Sequence, residues 1–380
     1  MSEGDLAIAV VGLGFGADFV PIYQAHPAVG RVGVVEPSAD LRDAVGSRFG
    51  VADRFASYED VLQDDRWDAV HVLAPVRFHA DYAVAGLDAG KHVACAVPMA
   101  TDLKAIDEVL EAEARSGCRY MMMETSAYTR EHLTAKALLD AGDLGALTLY
   151  KGFHIQNLDG FPSYWQGYPP MHYLTHALSP ALALTGSRVT TVRAMGSGRL
   201  EDHQRTGGFN NPFPTEVGIF ALEGSDLVCE ITMSFFGIAR RYVEGYNVYG
   251  TRASLEWPEA EGDPWRSFVL DPLTPGGRGR NATEGRIATD DQRDRLPESL
   301  QRFTTDFLIQ PADGAAAFTR PAEHGGSHPH LVHEFVSAIV EDRAPAIDGV
   351  VSARWTAPGI VAHSSALKGG ITLEVPNHDR

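Results

Sequence analysis

The run LAIAVVGLGFGADF (6–19) constrains this chain more than any other stretch. A β-branched, apolar segment breaks at glycines, and a mixed apolar and polar run, ADFVPIYQAHP, follows as an opening helix would. Gly12-x-Gly14-x-x-Ala17 is the G-x-G-x-x-G/A pattern. Gly12 allows a tight turn, Gly14 lets the backbone approach a pyrophosphate, and small Ala17 lets helix and strand pack closely. Alone the pattern says little, so its surroundings decide how it is read.

Those surroundings agree with it. A second strand, VGVVE, ends at Glu36. A carboxylate there accepts hydrogen bonds from ribose hydroxyls and repels a 2′-phosphate, which points to NAD rather than NADP. The helix SADLRDAVGSRFG, the strand WDAVHVLAP, the helix HADYAVAGLDAG, the strand HVACAV, the helix DLKAIDEVLEAEARSG and the strand RYMMME follow in turn. Such alternation predicts a parallel, doubly wound α/β sheet with ligands at the C-terminal strand ends. Gly12, Leu13, Gly14 and Phe15, with Glu36-Pro37, Ala74-Pro75, His79, Ala96 and Pro98, then line one crevice, and Glu124–Tyr128 joins them. His79 fits cofactor contact and helix capping or packing equally well.

A second region alternates as an antiparallel sheet would, in TLYKGFHIQ, TTVRAMGSG, TEVGIFALEG, LVCEITMSFFG, YVEGYNVYGT and ASLEWP. The expected division is a Rossmann domain over 1–127 and an α+β substrate and oligomerisation domain over 128–380. Residues 258–325 are rich in Pro, Gly and charge and read as a long loop region. Residues 326–380 read as terminal helices and a closing strand. A net charge of −18 opposes nucleic acid and anionic membranes. Three widely spaced cysteines, strand-sized apolar runs and an acidic N-terminus suggest a reduced, cytoplasmic protein without a membrane span.

The glycine turn, Glu36-Pro37, the block LAPVRFHADYAVAGLDAGKHVACAVPMA, the segment near 172–180, LVHEFVSAIVEDRAPAIDG and GGITLEVP together resemble the Gfo/Idh/MocA oxidoreductases across essentially the whole chain. The resemblance implies an N-terminal Rossmann domain and a C-terminal, mainly antiparallel open sheet whose face makes a homodimer or homotetramer. Dehydrogenases of that family carry Glu-Lys-Pro where this chain has Ala96-Val97-Pro98, and their lysine helps remove a hydroxyl proton. Valine takes no proton, so the proton work is absent or lies elsewhere. One branch of the family, the NAD-dependent glycosidases, shows a Val-Pro motif and a segment similar to His172-Tyr173-Leu174-Thr175-His176. This chain departs from that branch at Ala96, usually glutamate, and at Ser126, usually tyrosine, so substrate specificity does not carry over.

PPMHYLTHALSPALALTG reads as a helix with His172 and His176 four residues apart on one face. No third ligand has diagnostic spacing, so a metal is not expected. The resemblance assigns the catalytic histidine to His176, whose neutral imidazole accepts a proton near pH 7. Tyr173 or Tyr128 would act at a second carbon as phenolate, which needs neighbouring positive charge from the cofactor or Arg130. His172 and Arg130 are expected to contact the substrate; softer substrate candidates are His154, Glu124, Trp165 and His328, each with a structural alternative: a half-exposed strand position, a cap for TSAYTRE, loop core and loop architecture.

Three function classes compete. The first is a glycosidase that oxidises a ring carbon, C3, transiently. The ketone acidifies the C2 proton, the C1 substituent is eliminated, water adds to the enone, and the hydride returns. The second is an NAD-dependent sugar or polyol dehydrogenase or epimerase with a relocated base. The third is a non-catalytic sugar sensor, favoured by Val97 and opposed by the histidine–tyrosine cluster. Scattered arginines near 188–205 and 240–241 leave room for an anionic sugar such as a sulfoquinovoside.

Overall fold

The computed structural model describes residues 4–258, 260 and 263–378, which form two compact units. The first comprises the chain up to Thr129, Gln292–Ala353 and His378 onward; the second comprises Arg130–Asp291 and Arg354–Asn377. The expected single cut after residue 127 therefore gives way to a shared ownership of the C-terminal third. Apolar faces such as Leu331, Val332, Phe335 and Val336 of the helix His328–Val340 are buried and count with the first unit.

The first unit contains a six-stranded sheet. Its strands are β1 (Leu6–Val11), β2 (Val29–Val35), β3 (Asp53–Phe55), β4 (Ala69–Val72), β5 (His92–Cys95) and β6 (Tyr120–Met122), in the order β3-β2-β1-β4-β5-β6 and all parallel. β3 was not expected: three half-buried residues, DRF, carry no alternation for a sequence pattern to detect. β1 and β4 are buried at every position, which is why they read as continuous apolar runs. The chain leaves β1 toward β2 on one side and returns to β4 on the other. That reversal makes a topological switch point at the C-terminal ends of β1 and β4. The connecting helix Leu103–Ser116 starts where the Asp102 side chain accepts from Ala105 N–H and stops at left-handed Gly117.

The second unit carries a nine-stranded mixed sheet. The strands β7 (Leu147–Ile155), β8 (Val189–Ser197), β9 (Thr215–Leu222), β10 (Val228–Ser234), β11 (Val243–Gly250) and β12 (Ala253–Glu256) fall where alternation predicts them. β13 (Trp265–Leu270) and β14 (Ala282–Ile287) correct the expected loop of 258–325. β14 is mainly exposed, and β13 buries only Trp265 and Ser267, one of them polar, so their hydrophobic signal is faint. The same stretch holds the helix Glu298–Gln301 and a small hairpin of β15 (Phe307–Ile309) and β16 (Phe318–Arg320) in the first unit. With β17 (Leu373–Glu374) the order is β14-β13-β12-β11-β7-β10-β9-β8-β17, antiparallel except for β7 with β10.

Tyr150, Gly152 and His154 share the buried side of β7. The helix Thr175–Thr185 lies against that side, and Tyr150 Oη donates to the carbonyl of Ala177 at 2.8 Å. At Gly152 a Cβ would collide with the Ala177 carbonyl, so glycine is what allows this approach.

Candidate functional site

In the first unit the glycine turn has the shape a dinucleotide needs. Gly12 has φ 90°, and a Cβ there would stand 2.7 Å from the Leu73 carbonyl oxygen. A Cβ on Gly14 would meet nothing within 4 Å, so its exposed backbone faces open space. The close helix–strand approach falls at Gly16, not Ala17: a Cβ on Gly16 would meet Leu73 and Val10 side chains at 3.0 and 3.1 Å. The expected opening helix is two short pieces, Leu13–Gly16 and Val20–Ala25, with Ala17 closing the first. Glu36 accepts from Leu13 N–H (3.0 Å) and Ser38 N–H (3.1 Å), which ties the end of β2 to the turn. Arg42 donates to the backbone carbonyls of Glu36 and Pro37.

His79 is 1% exposed, and its ring nitrogens face the carbonyls of Pro98 (2.8 Å) and Ala74 (2.9 Å). Burial pushes its pKa down against the pull of those carbonyls. The neutral ring has one N–H and donates to one of the two carbonyls, which sets His79 between the segments after β4 and β5. Pro75, Ala96 and Pro98 lie at those ends, and Val97-Pro98 is a cis bond with Val97 buried.

Glu124 is fully buried after β6 and accepts from Ser126 N–H at 2.9 Å, the capping role left open by the sequence. Tyr128 stacks on His330 at 6.4 Å. Burial, then Glu334, push its phenol further up, against weaker pulls from Arg343 and Arg295. These surroundings oppose the expected phenolate. His328 lies buried in ring contact with Phe19 (4.4 Å), Phe15 (5.5 Å) and His324 (5.5 Å), so it belongs to the core beneath the glycine turn.

The second unit gathers the other candidates. His154 lies within ring-contact distance of His176 (5.5 Å), Tyr173 (5.8 Å) and Tyr242 (5.4 Å). Tyr173 meets His176 at 4.8 Å, and Trp165 stands edge-on to Tyr173 at 5.4 Å as an aromatic wall. Glu244, which sequence reasoning missed, places Oε1 3.6 Å from His176 Nδ1 and accepts from Tyr242 Oη at 2.6 Å. Its signal was available: Glu244 shares strand parity with Tyr246 and Val248, so a carboxylate occupies an inward position of an apolar strand.

His172 does not share a helix with His176. Pro169 and Pro170 start a 3-10 turn, Pro170–Tyr173, and the α-helix begins only at Thr175. His172 turns to His363, ring to ring at 5.1 Å, and burial and His363 push its pKa down to about 3. Behind it, fully buried Glu216 faces His363 Nδ1 at 2.8 Å and accepts from Met171 N–H at 2.9 Å. Arg130 opens the helix Arg130–Asp140 and lowers the pKa of its neighbour Glu131, which burial raises.

A glycine turn at the switch point of a parallel sheet, with a carboxylate after the second strand, defines a dinucleotide-binding Rossmann protein with a second, sheet-based unit. Residues 6–124 match the oxidoreductase family with an NAD-binding Rossmann fold, GFO_IDH_MocA. The glycine turn and this match make the first unit an NAD-binding Rossmann domain similar to that of the Gfo/Idh/MocA oxidoreductases, and its cofactor is NAD. A glycosyl hydrolase family 109 protein of Streptomyces coelicolor is 23% identical over 98% of this chain and 83% of its own length. An inositol 2-dehydrogenase of Salmonella paratyphi B is 25% identical over 60% of this chain and 71% of its own. Three other curated relatives are matched over only 32–42% of their length. Among solved structures, levoglucosan dehydrogenase in complex with NADH and levoglucosan shares the fold with TM-score 0.76 at 18% identity, covering 98% of this chain and 100% of that one.

Proposed function

We propose that this protein is an NAD-dependent oxidoreductase that oxidises a ring hydroxyl of a sugar or polyol. The observation that carries the reading is the cluster of buried His176, His154 and Glu244 with half-buried Tyr173 beside the Trp165 wall, in a chain whose other unit binds NAD. NAD supplies the hydride acceptor. His176 takes the hydroxyl proton, His154 and Tyr173 hold the neighbouring hydroxyls, and Trp165 packs on a sugar face. The names of the levoglucosan dehydrogenase and inositol 2-dehydrogenase support a polyhydroxylated ring as substrate.

Redox-neutral glycoside hydrolysis is the second reading. Val97 in place of a lysine and the near full-length match to a glycosyl hydrolase family 109 protein favour it. Both readings begin with the same oxidation, and they differ in whether the hydride leaves. NMR in D₂O with NAD⁺ and a panel of neutral, acetamido, sulfonated and carboxylated sugars and glycosides separates them. NADH accumulation with an intact glycosidic bond supports the dehydrogenase. Deuterium at C2 of a released sugar without NADH supports the hydrolase. Bound NAD with no turnover across the panel overturns both. Once a substrate is found, His176→Ala is expected to lower kcat at least 100-fold with NAD affinity unchanged, and wild-type turnover in that variant rejects His176 as the base.

A further inference from the structure

We propose that Glu244 is the positioning residue of the site. Its carboxylate faces the Nδ1 of His176 as an ion-pair partner, favours the Nδ1–H tautomer, and leaves Nε2 as the nitrogen that takes the substrate proton. The proposal rests on the reading of His176 as the base. The antiparallel register of β11 on β7 sets Glu244 directly opposite His154. The helix Thr175–Thr185 crosses β7 at Gly152 and brings His176 to the same place, so Oε1 stands 3.6 Å from Nδ1. Both side chains are more than nine-tenths buried, at 5% and 8% exposure, so little water competes for the carboxylate.

Tyr242 Oη donates to Oε2 at 2.6 Å, which holds the carboxylate plane. His154 from β7 and Tyr173 from the turn before the helix also face the imidazole. Glu131, on the helix Arg130–Asp140, lies near enough to Glu244 for the two carboxyls to repel when both are ionised. A carboxylate on one imidazole nitrogen selects the tautomer and stabilises the imidazolium formed when the other nitrogen accepts a proton.

The first test needs no substrate. ¹⁵N NMR of histidine-labelled protein, with His176 assigned by the signal lost in His176→Gln, is expected to show the Nδ1–H tautomer. A dominant Nε2–H tautomer in the unaltered protein overturns the proposal. In Glu244→Gln the His176 titration is expected to move down by about one pH unit, because an opposite charge has been removed. Glu244→Asp should retain most of the shift; an unmoved titration in Glu244→Gln also overturns the proposal. With a substrate in hand, Glu244→Gln should lower kcat at least tenfold with little change in KM, and move the acidic limb of kcat/KM downward in pH. If the NMR result holds and no carbohydrate is turned over, the positioning stands and the carbohydrate reading falls.

Discussion

Glu36 shows how much one carboxylate decides. It accepts two backbone N–H groups, from Leu13 and Ser38, and sets a negative charge at the end of β2 beside the glycine turn. Charge-assisted bonds of this kind contribute about 1.5–3 kcal/mol each. Glu36→Ser should weaken NAD about tenfold or more by isothermal titration and narrow the preference over NADP, because the repulsion of a 2′-phosphate is gone. An unchanged NAD-to-NADP affinity ratio counts against Glu36 as the discriminator. Residue types were legible here because the glycine turn and Glu36 act through local chain geometry. Glu244, Glu216 and His363 were not, since each is identified by a partner tens or hundreds of positions away.

Elements are joined by a few polar groups whose ionisation matters. Glu113, on the helix Leu103–Ser116, accepts from Tyr120 N–H at 3.2 Å and also bonds the N–H of Gly349. Burial pushes its pKa up to about 7, against those hydrogen bonds. The folded state therefore holds this proton more tightly than the unfolded chain. The associated stability is fully present below the unfolded value and is lost as pH rises through about 7. Glu113→Gln, which keeps an acceptor and removes the charge, should be more stable than the parent at pH 8 and close to it at pH 5 by urea denaturation. At the same scale, the alternating strands β7–β12 were readable from period-two patterning. β3, β13 and β14 were not, because half-buried or exposed strands lack that contrast.

For the whole molecule, buried histidines set the response to acid. Burial is the main cause that pushes His71 and His172 down to about 3 and His26 and His132 down to about 4. Each must charge on unfolding, so each contributes stability that is present above the unfolded value near 6.5 and lost as pH falls toward the folded one. These groups outnumber the opposing Glu113 and Glu131, whose pKa burial raises. Thermal midpoints by circular dichroism should fall steadily from pH 7 to pH 5; a flat profile counts against neutral burial of these rings. The open face of the nine-stranded sheet carries Met195, Val217, Ile219 and Val228, exposed by 58, 38, 46 and 40% in the single chain. This exposed apolar face leads us to expect a homo-oligomer. Light scattering should give a multiple of 41.1 kDa that falls when Val217 and Ile219 are both changed to Glu. Among the described residues no helix is long and apolar enough to cross a membrane.

The sequence by itself determined the Rossmann half, its NAD turn and the existence of a second sheet. Those features rest on local rules: glycine where φ is positive, a β-branched run before it, and a period of two in the strands. It also isolated the segment that bears Tyr173 and His176. The tertiary structure alone decided what those side chains face. Two prolines turned His172 away toward His363, and the close approach at Gly152 brought His176 beside His154 and Glu244. It also assigned Gln292–Ala353 to the first unit. The physical reason is that such pairings depend on register and packing between distant segments, and no local pattern in the chain encodes them.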